Sequence, residues 1–210
     1  MTIDDRTQVP IFPKIEAKDL IGLDILLFID GPWVTRWHGR NRRKEFGRSE
    51  LPPYHAALVY NNNNILNSDD NDKVYILDPE ITTSLSLLSE YTTKSAIRID
   101  VFRYKKTVEQ TLNALSAATE ILRQEKTYDA KGFIFFAHQM PYCDWLKYIL
   151  LKPSEGHYFC SDAVTYVMQE RGGITVSPRG HNETAPVDNQ IYGIEHPEVC
   201  DKFTLKERTQ

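Results

Sequence analysis

Apolar and polar positions alternate along this chain in a way that separates its two halves. Asp24 to Ile29 (DILLFI) is a short apolar run just after Gly22 and predicts a buried strand. His55 to Tyr60 (HAALVY) predicts another, ended by the turn-forming tract Asn61–Asn64. Val74 to Asp78 (VYILD) predicts a third. In Ala96 to Tyr104 the apolar Ile97, Ile99 and Val101 alternate with Arg98 and Asp100, the period of a half-buried strand. Leu85 to Tyr91, between these last two, predicts a short helical turn.

The second half changes period. Thr107 to Lys126 predicts the clearest helix, with Val108, Leu112, Leu115 and Leu122 on one face and Thr107 and Gln110 spaced as a capping box. Residues 131–152 are aromatic and apolar but broken by Pro141, which predicts helical pieces joined by loops. Ser161 to Arg171 predicts a second helix, with Val164, Val167 and Met168 inward and Gly172–Gly173 at its end. The expected class is α+β, an antiparallel sheet packed against helices. No repeat or linker divides the chain. The expected organisation is an extended lead-in over 1–19, a main domain over 20–176, and a polar, proline-marked extension over 177–210 that wraps the surface.

Composition narrows the function classes. With 41% hydrophobic and 26% charged residues over 210 positions, the chain has core material for one domain. A formal charge of −4 gives no global attraction to nucleic acid. The first residues, Met1 to Pro13, contain no apolar stretch, so no Sec-type signal is expected. The longest clean apolar run, Phe133 to Ala137, is far below the roughly 20 residues of a membrane span. A soluble, cytoplasmic protein is the expectation. Three cysteines, Cys143, Cys160 and Cys200, make no disulfide framework and leave a free thiol to explain.

Cys160 stands in His-Tyr-Phe-Cys-Ser-Asp-Ala-Val, at the first turn of the predicted 161–171 helix. A helix start presents free N–H groups and partial positive charge, and cysteines so placed beside a histidine can ionise several units below the usual value of about 8.5. A buried structural cysteine is the alternative. His55, at the head of an apolar strand, is either a satisfied core histidine or the base that takes a proton from Cys160. Asp78 ends the neighbouring predicted strand and could orient that imidazole, with Glu80 as its rival; either could equally be a solvated turn residue beside Pro79.

The order Gly22-x-Asp24-Ile25-Leu26-Leu27-Phe28, then Tyr54-His55-Ala56-Ala57-Leu58-Val59, then Tyr158-Phe159-Cys160-Ser161-Asp162-Ala163-Val164 resembles the circularly permuted NlpC-like branch of the papain-like cysteine peptidases. Thr127-Tyr128-Asp129 after the long helix, and Leu87-Leu88-Ser89-Glu90-Tyr91 before the 96–104 strand, are similar to further stretches of that branch. The resemblance covers most of residues 20–175. It implies Cys160 as nucleophile, His55 as base, and a third polar residue at or near Asp78, where glutamate is usual in that branch. Tyr54 and Tyr128 stand as helpers, and the backbone N–H of Cys160 as an oxyanion donor. The implied activity is cleavage of an amide in a small peptide, wall peptide, isopeptide or acyl amide, with no cofactor.

Other readings stay open. Relatives in the wider group, such as lecithin retinol acyltransferase, act on lipid acyl groups, and the apolar stretch 132–151 (Phe133, Phe135, Phe136, Trp145, Leu146, Ile149 and Leu150) either lines an acyl groove or is core. His138, Cys143, His157 and Cys160 are zinc-ligand types but lack the tight paired spacing of structural zinc sites. The basic loop 36–48, with Trp33 and Trp37 nearby, is a solvated loop, a grip on an anionic partner, or a gate over a cleft. A catalytically silent binding or structural protein that keeps the papain-like shell is the remaining class.

Overall fold

The computed structural model of the chain describes residues 3–4, 9–10, 12–29, 53–60, 73–79, 83–94, 98–124, 160–181 and 184–206. Strands β1 (Ile3–Asp4) and β2 (Val9–Pro10) form a small antiparallel pair. The others, β3 (Lys14–Ile15), β4 (Ile25–Ile29), β5 (Pro53–Val59), β6 (Tyr75–Pro79), β7 (Thr83–Leu87), β8 (Arg98–Tyr104) and β9 (Cys200–Leu205), make one seven-stranded sheet in the order β3-β9-β8-β4-β5-β6-β7. Every pairing in it is antiparallel except β3 with β9, which makes the sheet mixed rather than purely antiparallel. Helices α1 (Leu88–Lys94), α2 (Val108–Arg123), α3 (Cys160–Thr165) and α4 (Pro186–Glu195) complete an α+β fold. The turns of α3 run on into a π-helical stretch, Tyr166–Arg171. Among the described residues no helix is long and apolar enough to cross a membrane.

Both faces of the sheet are covered. Leu23, Ile25, Leu27, Ala56, Leu58, Leu77 and Phe102 pack with α2 and the helix that begins at Cys160. On the opposite face Leu26, Phe28, Ala57, Val59, Ile76, Ile99 and Val101 pack with Leu88 and the half-buried Tyr54 and Tyr91. This is why β4 reads as an unbroken apolar run: all its residues are buried. It also corrects the half-buried reading of the 98–104 strand. β8 lies between β4 and β9, and its Asp100 is fully buried, accepting from Arg98 Nε at 2.8 Å and Thr204 Oγ1 at 2.9 Å.

Three further expectations change. Residues 83–87 form a strand, and helix begins only at Leu88, because pairing with β6 overrides the local pattern. The inward face of α2 is Ala114, Ala117, Ala118 and Ile121; of the predicted face, Leu115 and Leu122 pack half-buried against the core, while Val108 and Leu112 are 77% and 62% exposed. Small residues are needed there: Ala114 Cβ lies against Gly172, so α2 and the 160–171 helix approach closely. The tail, expected to wrap the surface, instead supplies α4 and the strand β9, which sits inside the sheet between β3 and β8. Of its apolar positions, Val187, Ile191, Cys200 and Leu205 are buried, and Tyr192, Ile194, Val199 and Phe203 are half-buried against the core.

The capping box is present: Gln110 N donates to Thr107 Oγ1 and Thr107 N to Gln110 Oε1. The Gln110 side chain also donates to the Gly173 carbonyl at 2.8 Å, tying the start of α2 to the end of the 160–171 helix. Gly173 takes φ +66°, the left-handed conformation that closes a helix and suits glycine.

Candidate active site

Histidine 55 enters the site from the second strand of a central pair. In the β4–β5 register Phe28 faces His55, but Ile29 faces Pro53, so Tyr54 has no partner on β4 and forms a bulge. A bulge bends a strand and re-aims the side chains beside it. The His55 ring lies 5.2 Å from Phe28 and 6.3 Å from Tyr54, centroid to centroid. Asp78 is on β6, the next strand, one position past the Leu58–Leu77 pair. Continued, that register sets Asp78 opposite Ala57, two places from His55, so its carboxylate reaches diagonally, and Oδ1 accepts from His55 Nε2 at 2.9 Å.

The sulfur of Cys160, the first residue of α3, lies near enough to act on the charge of the imidazole. His55, Cys160 and Asp78 are 9%, 5% and 1% exposed, so all three side chains are buried. Burial alone pushes the imidazole towards its neutral form. Hydrogen bonds and charge from Asp78 and Cys160 outweigh it and raise the His55 pKa to about 10. An imidazole so placed can hold a proton at neutral pH and exchange it with the sulfur.

The helix of Cys160 is gripped by the tail. Ser161 Oγ donates to the Thr184 carbonyl at 2.6 Å, and Asn189 Nδ2 to Thr165 Oγ1 at 3.3 Å and the Val176 carbonyl at 3.1 Å. Gln169 Oε1 accepts from the N–H groups of Val176 and Ser177, while its Nε2 donates to the Arg179 carbonyl. Asp162, buried in the first turn, has His181 Nε2 at 4.0 Å. These contacts fix the helix start, and with it the sulfur, against the sheet.

Of the residues singled out from sequence, Cys160, His55 and Asp78 come together and Tyr54 packs at the rim of the imidazole. Glu80, Tyr128, the loop 36–48 with Trp33 and Trp37, the stretch 132–151, and His138, Cys143 and His157 lie outside the described residues. Sequence reasoning gave no role to Tyr91, whose hydroxyl donates to Asp78 Oδ2 and whose ring lies nearly parallel to His55, 13° between planes at 6.5 Å. Its signal was only a tyrosine in the motif around Glu90. Ser161, Thr184 and Asn189 were missed as well, since nothing in a polar tail marks which side chains turn inward. The chain matches no protein-family model and no curated protein.

Proposed function

We propose that this chain is a cysteine hydrolase with a permuted papain-like fold, cleaving an amide through an acyl-enzyme on Cys160. One observation carries the reading: a single buried imidazole, His55, is bonded to a carboxylate, Asp78, and lies under the electrostatic influence of a sulfur at the start of a helix, Cys160. The roles follow from the chemistry of each group. The Cys160 sulfur attacks the carbonyl carbon and a C–S bond forms, with the developing oxyanion facing N–H groups at the helix start. His55 gives its proton to the leaving nitrogen as the C–N bond breaks. Water then attacks the thioester with His55 as base, which releases the acid and restores the thiol–imidazole pair. Asp78 holds the ring in the orientation both steps need. The substrate class is an amide in a small peptide, wall peptide, isopeptide or acyl amide. No step calls for a cofactor.

Alkylation by iodoacetamide against pH, read at each cysteine by mass spectrometry, tests the proposal. Cys200 is the internal control: burial pushes its thiol up to about 12 and makes it a poor nucleophile. Cys160 is expected to react on the order of 100-fold faster than Cys200 at neutral pH, and to lose most of that advantage in His55→Ala. Equal, slow reaction at both cysteines, with no dependence on His55, would sink the catalytic reading.

A further inference from the structure

Resting on the thiol-hydrolase reading, we propose that Tyr91 is a positioning residue of the site, holding the Asp78 carboxylate in the rotation that presents Oδ1 to His55. A carboxylate 1% exposed must have its oxygens filled by donors, since a buried anion without them is costly. Asp78 has a separate donor for each oxygen: His55 Nε2 on Oδ1 and the Tyr91 hydroxyl on Oδ2. The terminal torsion of aspartate is broad and roughly two-fold, so a single donor leaves it free to turn. Two donors from different elements remove that freedom.

The placement of Tyr91 supports orientation rather than filling. Strand β7 pairs with β6, with Ser84 opposite Asp78, and α1 starts directly from its end. The chain therefore turns back and brings Tyr91 over the carboxylate of its own hairpin. Phe28 lies 5.2 Å from both the Tyr91 ring and the His55 ring, so one buried side chain fixes the two together. A phenylalanine at 91 would fill this space equally well; only the hydroxyl addresses Asp78. Among the described residues, the titratable groups facing the imidazole are Asp78 from β6, Cys160 from α3, Tyr91 from α1 and Tyr54 from its own strand.

The test compares Tyr91→Phe, Asp78→Asn and the double variant in the full chain. Two readouts follow: the His55 imidazole titration by NMR, and the pH profile of Cys160 alkylation by iodoacetamide. Tyr91→Phe is expected to lower the His55 midpoint and to slow Cys160 alkylation at pH 7 by about 10-fold, the scale of one hydrogen bond to a charged group. In the Asp78→Asn background the same change is expected to do nothing more, because Tyr91 acts through Asp78. Tyr91→Gln, which restores an N–H donor, should recover more of the rate than Tyr91→Leu. An unchanged titration and rate in Tyr91→Phe overturns the inference. So does a loss that adds in full to Asp78→Asn, or equal losses in the Gln and Leu variants. If His55→Ala and Asp78→Asn themselves leave Cys160 alkylation untouched, the hydrolase reading fails and the role of Tyr91 falls with it; if they act and Tyr91→Phe does not, only this inference fails.

Discussion

His55 and Asp78 meet across two neighbouring strands at 2.9 Å, Nε2 to Oδ1, in a pocket where the ring is buried beside Phe28. Burial favours the neutral imidazole, and the charge of Asp78 with the Cys160 sulfur reverses that preference, leaving the folded-state pKa near 10 against 6.5 for the free side chain. A group raised on folding adds stability in full below its unfolded pKa and loses it as pH climbs through the folded one. The stability advantage over His55→Ala should therefore be largest and flat below pH 6.5, then shrink to a minimum by about pH 10. Urea unfolding at a series of pH values checks this; an advantage that grows with pH contradicts it.

Arg103 secures the far end of the central strands. Its Nε and Nη2 donate to the two oxygens of Asp24 at 3.0 and 2.8 Å, and Asp24 is fully buried. Removing the guanidinium strands a buried charge. Arg103→Ala should cost about 3–5 kcal/mol, and Arg103→Lys should recover only part of it, because a single ammonium cannot reproduce the fork. Equilibrium unfolding measures both.

Gly193 in α4 faces the ring of Phe102, which a Cβ at that position would meet at 2.3 Å. Alanine is ordinarily the better helix former by roughly 1 kcal/mol. Here the clash with a buried ring should dominate, and Gly193→Ala should destabilise by about 1–3 kcal/mol. A stabilised variant in thermal unfolding would show that Phe102 can move aside.

The alanine face of α2 makes an opposed pair of predictions. Ala114→Leu, at the contact with Gly172, should cost about 1–3 kcal/mol through overpacking. Leu112→Lys, at a position 62% exposed, should stay within about 0.5 kcal/mol of the parent. The reverse order in denaturant midpoints would restore the leucine face as the buried one.

Much of the site was legible from local pattern. The strand of His55, the strand end at Asp78 and the helix start at Cys160 each follow from short-range rules: apolar runs, turn residues and a glycine-closed helix. The Thr107–Gln110 box was equally local, since its atoms lie within a single turn. The same rules misread half of the α2 face: Leu115 and Leu122 pack against the core, but Val108 and Leu112 face outward and small alanines line the centre. What an interface buries depends on how closely its partner approaches, and Gly172 admits only small side chains.

The sequence by itself determined the α+β class, the central strands and the two principal helices, because periodicity and residue type encode these locally. It offered Cys160, His55 and Asp78 as candidates for thiol chemistry, with roles implied by the family resemblance. Tertiary structure alone decided that β9 lies inside the sheet, that Asp78 reaches His55 diagonally from two places out of register, and that Tyr91 closes on the same carboxylate. Each of those depends on strand register and chain reversal between distant segments, and the energy that selects them comes from burying both faces of the sheet together. No short stretch of residues carries that information.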